Sequence, residues 1–340
     1  MAYNSADELI LDYLKTLDLV NKSILICNDA FGALSSHLLD FDITVVSDSY
    51  LSSKSIHLNT EGSIISQTTL PDRDIKYDIV LFKVPKNLAY FEDLLCQLRK
   101  FSHKETSFIF GSMVKHLPNG AFSVIEKKIG KTTTSLAKKK ARLIFASFEA
   151  PDSIKFKNKT IKVEGLDIEL ENFSNVFSRD KLDIGAAFFR QYIPKSSYKE
   201  ILDLGCGNGV LGIWAKKNNP LATITFTDDS HMAVENAKFN YHKLYTDQPV
   251  GVWTNCGESL PDNHFDLVLC NPPFHQDHTI GDFIAVQMFI EAKRALKQGG
   301  VLRVIGNSHL KYNFKLKELF GSYKLIATNS KFNIYECILS

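Results

Sequence analysis

Apolar and polar positions alternate along this chain at strand spacing and at helix spacing, and they do so twice in the same order. From residue 200, EILDLGCGNGVLGIWAKK passes from a short apolar strand through a glycine-rich turn into apolar residues at helical spacing. ATITFTDDS then predicts a strand ending on Asp228, residues 231 to about 243 predict a helix, and the region of Val250 a short strand. FDLVLC, from Phe265, is a further apolar strand that stops in the turn Asn271-Pro272-Pro273-Phe274. Strands separated by helices imply a parallel sheet covered on both faces.

The first half lays onto the second. SILICNDAFGALSSHLL matches EILDLGCGNGVLGIWAK, DITVVSDSY matches TITFTDDSH, and YDIVLFKVPKN matches FDLVLCNPPFH. TTTSLAKKKARLIFASF and IATNSKFNIYECILS each predict a late β-hairpin closing a sheet. The chain therefore reads as one α/β domain written twice: residues 1–150, a connector and the start of the second domain over 151–172, then residues 173–340. The copies differ where chemistry would sit. Asn28 and Ala30 replace two turn glycines, leaving only Gly32, and Lys83-Val84-Pro85-Lys86 stands in place of Asn-Pro-Pro-Phe. The start, MAYNSADELILDYLKTL, carries acids among its apolar residues and reads as a helix, not as a signal peptide.

Composition narrows the class. A chain of 340 residues with 44% hydrophobic and 23% charged residues is an ordinary soluble globular protein with room for two cores. No apolar run approaches the ~18 residues of a membrane span, and a cytoplasmic protein is the simplest reading. Six cysteines (Cys27, Cys96, Cys206, Cys256, Cys270 and Cys337) stand singly, without zinc-site or disulfide spacing, which predicts reduced thiols and no metal. A net charge of +2 says nothing for nucleic acid. Its distribution says more: KKIGKTTTSLAKKKAR, residues 127–142, holds seven basic residues and no acid, either a field that attracts phosphates or a solvated face.

In Asp203-Leu204-Gly205-Cys206-Gly207-Asn208-Gly209 a glycine occupies every second position between a strand and a helix. Missing side chains let a ligand lie against the backbone. Alone, the pattern fits a dinucleotide site or a tight turn that binds nothing. Asp228 closes the next strand about twenty residues on, where an acid commonly grips ribose hydroxyls in doubly wound folds. Asp229 competes for that role, or caps a helix. Asp203, and Asn255 at the end of the third strand, complete a candidate nucleoside pocket. Taken together, DLGCGNG, Asp228 and NPPF resemble the class I S-adenosylmethionine-dependent methyltransferases over about residues 173–340. The resemblance implies a Rossmann-like domain with a seven-stranded, mostly parallel sheet and a late antiparallel hairpin, which the duplication extends to two such domains in tandem, the first degenerate. It implies S-adenosyl-L-methionine on Gly205, Gly207 and Gly209, with Asp203 near its amino group, Asp228 on its ribose, and Asn255 and Asn271 beside it.

Methyl transfer from a sulfonium is an in-line displacement, so an enzyme must aim a lone pair at the methyl group. In an exocyclic base amine that lone pair is delocalised into the ring. Two acceptors aimed at its N–H groups would draw the nitrogen toward tetrahedral geometry and restore nucleophilicity. Asn271 supplies a side-chain acceptor and Pro272 a carbonyl, two prolines stiffen the turn, and Phe274 offers a π face to a flat substrate. His275 is a candidate substrate contact, and no obligatory base is required. The plainer reading is that Pro-Pro ends a strand, Asn271 caps a loop and Phe274 packs in a core.

NVFSRDKLDIGAAFF, residues 175–189, and the degenerate first copy resemble the bacterial ribosomal RNA guanine-N2 methyltransferases, which carry one inactive and one active domain. NDAFGALSSHL, VSDSYLS, VPKNLA and TTTSLAKKKARLI look closest to the large-subunit (23S) enzymes. This implies methylation of the N2 amine of a guanine in 23S ribosomal RNA. A 16S enzyme and, further off, a protein glutamine N5-methyltransferase are the alternatives. It also implies a first domain that docks RNA through Lys138, Lys139, Lys140 and Arg142, a base met by Phe274 and His275, ribosomal RNA as partner without membrane or metal, and a monomer. Arg179 and Asp183 border the cofactor, shape the base pocket, or serve only packing and ion pairing.

Overall fold

Unbroken apolar runs such as SILIC and IVLFK form strands buried along almost their whole length, as a sheet covered on both faces requires. The computed structural model describes residues 4–71, 74–149, 155–273 and 280–340. They divide into two compact units, Met1–Lys157 and Asn158–Ser340.

The first unit runs α1 (Ser5–Leu14), β1 (Ser23–Cys27), α2 (Ala33–His37), β2 (Asp42–Val46), α3 (Tyr50–Asn59), β3 (Ile79–Lys83), α4 (Leu88–Leu98), β4 (Ser107–Met113), α5 (Ala121–Lys128), β5 (Thr132–Thr134) and β6 (Ala141–Ser147). Asn4 and Asp7 form a reciprocal capping box that starts α1 where the sequence predicts a helix. The sheet order is β2-β1-β3-β4-β6-β5, parallel as far as β4, with β5 and β6 as the expected hairpin. The sheet has six strands among the described residues, not seven. At the outer position only Gln67 pairs, in a single parallel bridge with Val46. EGSIISQTTLP, with Gly62 at φ +80° and a proline at its end, does not sustain a ladder.

The second unit begins with an antiparallel hairpin, β7 (Lys159–Lys162) and β8 (Glu169–Asn172), within the segment read from sequence as the connector and the start of the second domain. It continues with α6 (Ile184–Phe189), β9 (Glu200–Leu204), α7 (Val210–Asn218), β10 (Thr223–Asp228), α8 (His231–His242), β11 (Val250–Trp253), β12 (Phe265–Cys270), α9 (Ile280–Ala295), β13 (Leu296–Asn307), α10 (Tyr312–Phe320), β14 (Lys324–Thr328) and β15 (Phe332–Ile338). Seven strands lie in the order β11-β10-β9-β12-β13-β15-β14, and only β15 runs against the direction of the other six. Successive strand residues feed opposite cores: Leu267 and Leu269 join Ile213 and Tyr241 on one face, while Val268 and Cys270 join Phe289 and Leu316 on the other. Among the described residues no helix is long and apolar enough to cross a membrane.

The chain turns one way from β9 and the other way from β12, so these neighbours flank the topological switch point, where open α/β sheets bind ligands beyond their carboxyl ends.

Candidate active site

Strand register brings the predicted chemistry together. Leu204 at the end of β9 pairs with Cys270 on one side and with Thr227 on the other. The next residue of each strand is therefore Gly205, Asn271 and Asp228, side by side at the switch point. Asn255 follows β11, and its neighbour Thr254 donates its amide to the Asp228 carbonyl at 3.1 Å.

The turn glycines all have positive φ, at +76°, +53° and +81° for Gly205, Gly207 and Gly209. Two of them answer different needs. A Cβ on Gly209 would come within 2.8 Å of the Ala237 Cβ, so this glycine lets the turn lie against α8. A Cβ on Gly207 would meet nothing within 4 Å, which leaves open space in front of the turn. The Gly207 amide donates to Asp228 Oδ2 at 3.1 Å, and the Ser230 amide to Oδ1 at 3.0 Å. Carboxylate oxygens accept more than one hydrogen bond, so the same group can also take a pair of hydroxyls. Ser230, not Asp229, caps α8 by accepting from the Ala233 amide.

Asp203 is buried. Its Oδ2 accepts from the Gly212 amide at 2.8 Å and pins α7 to β9, while Oδ1 has no hydrogen-bond donor among the described residues. Burial, together with the nearby Asp228, pushes its carboxyl up to about 7 against the pull of the Gly212 hydrogen bond. Burial also raises the Cys206 and Cys270 thiols well above the ordinary range, so neither is poised as a thiolate.

As β12 ends, the Asn271 Nδ2 donates to Asp183 Oδ2 at 3.3 Å. The Asn271 Oδ1 is buried and meets no donor among the described residues. A buried acceptor left in this way costs about 1–3 kcal/mol, recovered only when a donor arrives. Pro272 is buried beside it. Phe274 and His275 lie outside the described residues. Arg179 pairs with Asp180 at 3.7 Å.

Four asparagines to which the sequence assigns no role hold this region. Asn208, inside the glycine turn, donates to Asn172 Oδ1 at 3.0 Å, and Asn172 donates to the Arg179 carbonyl at 2.8 Å. From α8, Asn240 donates to the Asn208 carbonyl at 3.0 Å, and Asn236 donates to the Glu171 carbonyl and accepts from the Phe173 amide. The segment leading to Asp183 is thereby tied to the glycine turn. The i,i+4 spacing of Asn236 and Asn240 on a predicted helix was the available signal.

In the first unit the same register aligns Asn28, Ser47 and Lys83. Here the Lys83 ammonium pairs with the buried Asp7 of α1, and Asn28 Nδ2 donates to the Lys83 carbonyl at 2.8 Å. Asp29 accepts from the Ser35 amide at 2.9 Å, the part that Asp203 plays toward Gly212. A lysine–aspartate pair thus stands where the second unit has Asn271, while Asp29, like Asp203, keeps a buried Oδ1 that meets no donor among the described residues.

The basic run is less bare than its sequence. Lys128 is buried against Glu92 at 3.0 Å, and α1 brings Asp12 to 3.6 Å from Lys138 and Glu8 to 2.7 Å from Lys139. Lys139 and Lys140 form a two-residue hairpin turn with φ of +50° and +63°, closed by reciprocal hydrogen bonds of 2.9 Å between Lys138 and Ala141. Such turns favour Asn-Gly, so two lysines here are a poor choice for the turn itself. Arg142 is partly buried in β6.

The doubly wound sheet, the glycine turn tied to a strand-end acid and the Asn-Pro-Pro turn beside them define a nucleoside-cofactor methyltransferase domain. In agreement, the family model described as the methyltransferase small domain matches residues 167–336, and the one described as the RLMG N-terminal domain matches residues 1–150. A ribosomal RNA large subunit methyltransferase G of Psychromonas ingrahamii is 40% identical, covering 99% of this chain and 92% of that one. One of Klebsiella pneumoniae is 41% identical, covering 98% and 90%. The chain belongs to the ribosomal RNA large subunit methyltransferase G family. A solved T. thermophilus 16S rRNA N2 methyltransferase, in complex with AdoMet and guanosine, shares the fold with a TM-score of 0.83 at 18% identity, over 99% of this chain and 92% of that one.

Proposed function

We propose that this protein transfers a methyl group from S-adenosylmethionine to the N2 amine of a guanine in the 23S RNA of the large ribosomal subunit. The observation that carries the reading is the buried Oδ1 of Asn271, without a donor among the described residues, at the level of Gly205 and Asp228. The bound cofactor supplies an electrophilic methyl group on a sulfonium. Asp203, with its unmatched Oδ1, suits the amino end of that molecule, Asp228 its ribose and Asn255 the neighbouring base, while Gly207 leaves room for it.

What the chain contributes to the transfer is placement. Asn271 Oδ1 accepts one N–H of the planar amine and the Pro272 carbonyl the other, which turns the nitrogen lone pair out of the ring and toward the methyl group. The alkylated amine loses its proton readily, so no dedicated base is needed. The first domain docks the RNA: lysines at the β5–β6 turn hold phosphates, and one base is unstacked to reach Asn271. Two close relatives named for the large subunit, matched over nearly their whole length, favour 23S over 16S RNA.

The test is incubation with methyl-labelled cofactor and, separately, deproteinised 23S RNA, 16S RNA and a release-factor protein, followed by nucleoside analysis. The expected product is N2-methylguanosine from 23S RNA. Label in the protein substrate, in 16S RNA alone, or on another nucleoside would overturn the proposal.

A further inference from the structure

We infer that Asp183 is a positioning residue that decides which end of the Asn271 amide faces the substrate. The inference rests on the reading of Asn271 given above. An amide side chain has an acceptor and a donor end of nearly the same shape, exchanged by a half-turn about its last torsion. At a site meant to receive an amine, the wrong end would set an NH₂ against N–H groups. Something must hold the choice.

A carboxylate accepts and cannot donate, so only the Nδ2 end of Asn271 can satisfy Asp183. The contact is made at 3.3 Å across 88 residues of sequence. Asp183 is itself anchored: the same Oδ2 accepts from the Ala186 amide at 2.8 Å and caps α6. The chain before it is held by Asn172 on the Arg179 carbonyl, and through Asn208 to the glycine turn. With Nδ2 committed, Oδ1 is left as the buried end that meets no donor among the described residues. Asp183 also links the two halves of the site, because the segment it ends is tied to the turn that borders the cofactor.

A purely structural role as helix cap makes a different prediction. Asparagine caps helices as well as aspartate does. Asp183→Asn therefore keeps the cap but can donate to Asn271, which lets that amide turn over. The expected result is an unchanged melting temperature and cofactor affinity, with single-turnover methyl transfer at saturating RNA and cofactor reduced by at least about tenfold. Asp183→Ser keeps a capping oxygen that is too short to reach Asn271 and should lose rate in the same way. Asn271→Asp sets two carboxylates face to face and is also slow. The double variant Asp183→Asn with Asn271→Asp restores one donor and one acceptor with the roles exchanged, and leaves a carboxylate oxygen for the amine. It should run at least about tenfold faster than either single variant.

Wild-type rates in Asp183→Asn and Asp183→Ser, with Asn271→Ala slow, overturn the inference and leave the proposed function standing. A double variant no faster than the slower single one also overturns it. A wild-type rate in Asn271→Ala removes the reading of the turn and this inference with it.

Discussion

The Gly207 amide donates to the Asp228 carboxylate at 3.1 Å, joining the glycine turn to the acid that ends β10. The group expected to bind the cofactor ribose therefore also holds the turn expected to carry the cofactor. Asp228→Ala should weaken cofactor binding by about 1.5–3 kcal/mol in calorimetry, the scale of charge-assisted hydrogen bonds. Unchanged affinity in a folded variant would move the ribose contact to Asp229.

Gly207 and Gly209 should separate binding from stability. Gly207→Ala meets no atom within 4 Å, so its stability cost is about 1 kcal/mol for a side chain at φ +53°, yet it fills the space in front of the turn. Cofactor affinity should fall well beyond that. Gly209→Ala drives a methyl group into Ala237 and should lower the melting temperature more. The same losses of affinity and stability in both variants would contradict the division.

Asp203 gives the protein a pH signature. Its carboxyl is pushed up to about 7 from an ordinary 3.8, so the folded state keeps a proton that the unfolded chain has lost. The stability it contributes is full below about pH 4 and is lost as pH rises through about 7. Asp203→Asn should flatten that part of a stability–pH curve. An ammonium group placed against Asp203 favours the carboxylate, so cofactor binding near pH 6.5 should release protons, read by calorimetry in buffers of different ionisation enthalpy. No proton release would separate Asp203 from the amino end of the cofactor.

Much of the architecture was legible because buried parallel strands are written as unbroken apolar runs, as in SILIC and FDLVLC, and because Gly205 to Gly209 mark where strand becomes helix. The matched order of the two halves carried over into matched sheet orders. Long-range partners were not legible. Nothing local ties Asp183 to Asn271, or sets Glu8 and Asp12 beside Lys139 and Lys138. The missing outer strand of the first sheet lies in a segment whose glycine and proline speak against a ladder, a signal overridden by the likeness between the halves. Ser230 replaced Asp229 as a cap because both types cap helices well and only the backbone path chooses between them.

The lysine turn should trade stability for RNA affinity. Lys139→Asn with Lys140→Gly gives the turn its preferred residues and should raise the melting temperature while weakening RNA binding and flattening its salt dependence. Glu8→Gln with Asp12→Asn removes the acids beside Lys139 and Lys138 and should do the opposite to RNA affinity at low salt. RNA affinity and salt slope unchanged in both variants would return the run to a solvated face.

The central claim is that the Asn271 turn holds the amine for transfer, and Asn271→Ala tests it most directly. Cofactor affinity and single-turnover methylation of 23S RNA should be measured on the same preparation. The account predicts wild-type cofactor affinity, because the glycine turn and Asp228 are untouched, with methyl transfer slower by about 10²–10³-fold, the size of one preorganised hydrogen bond at a reacting centre. A wild-type rate would contradict it.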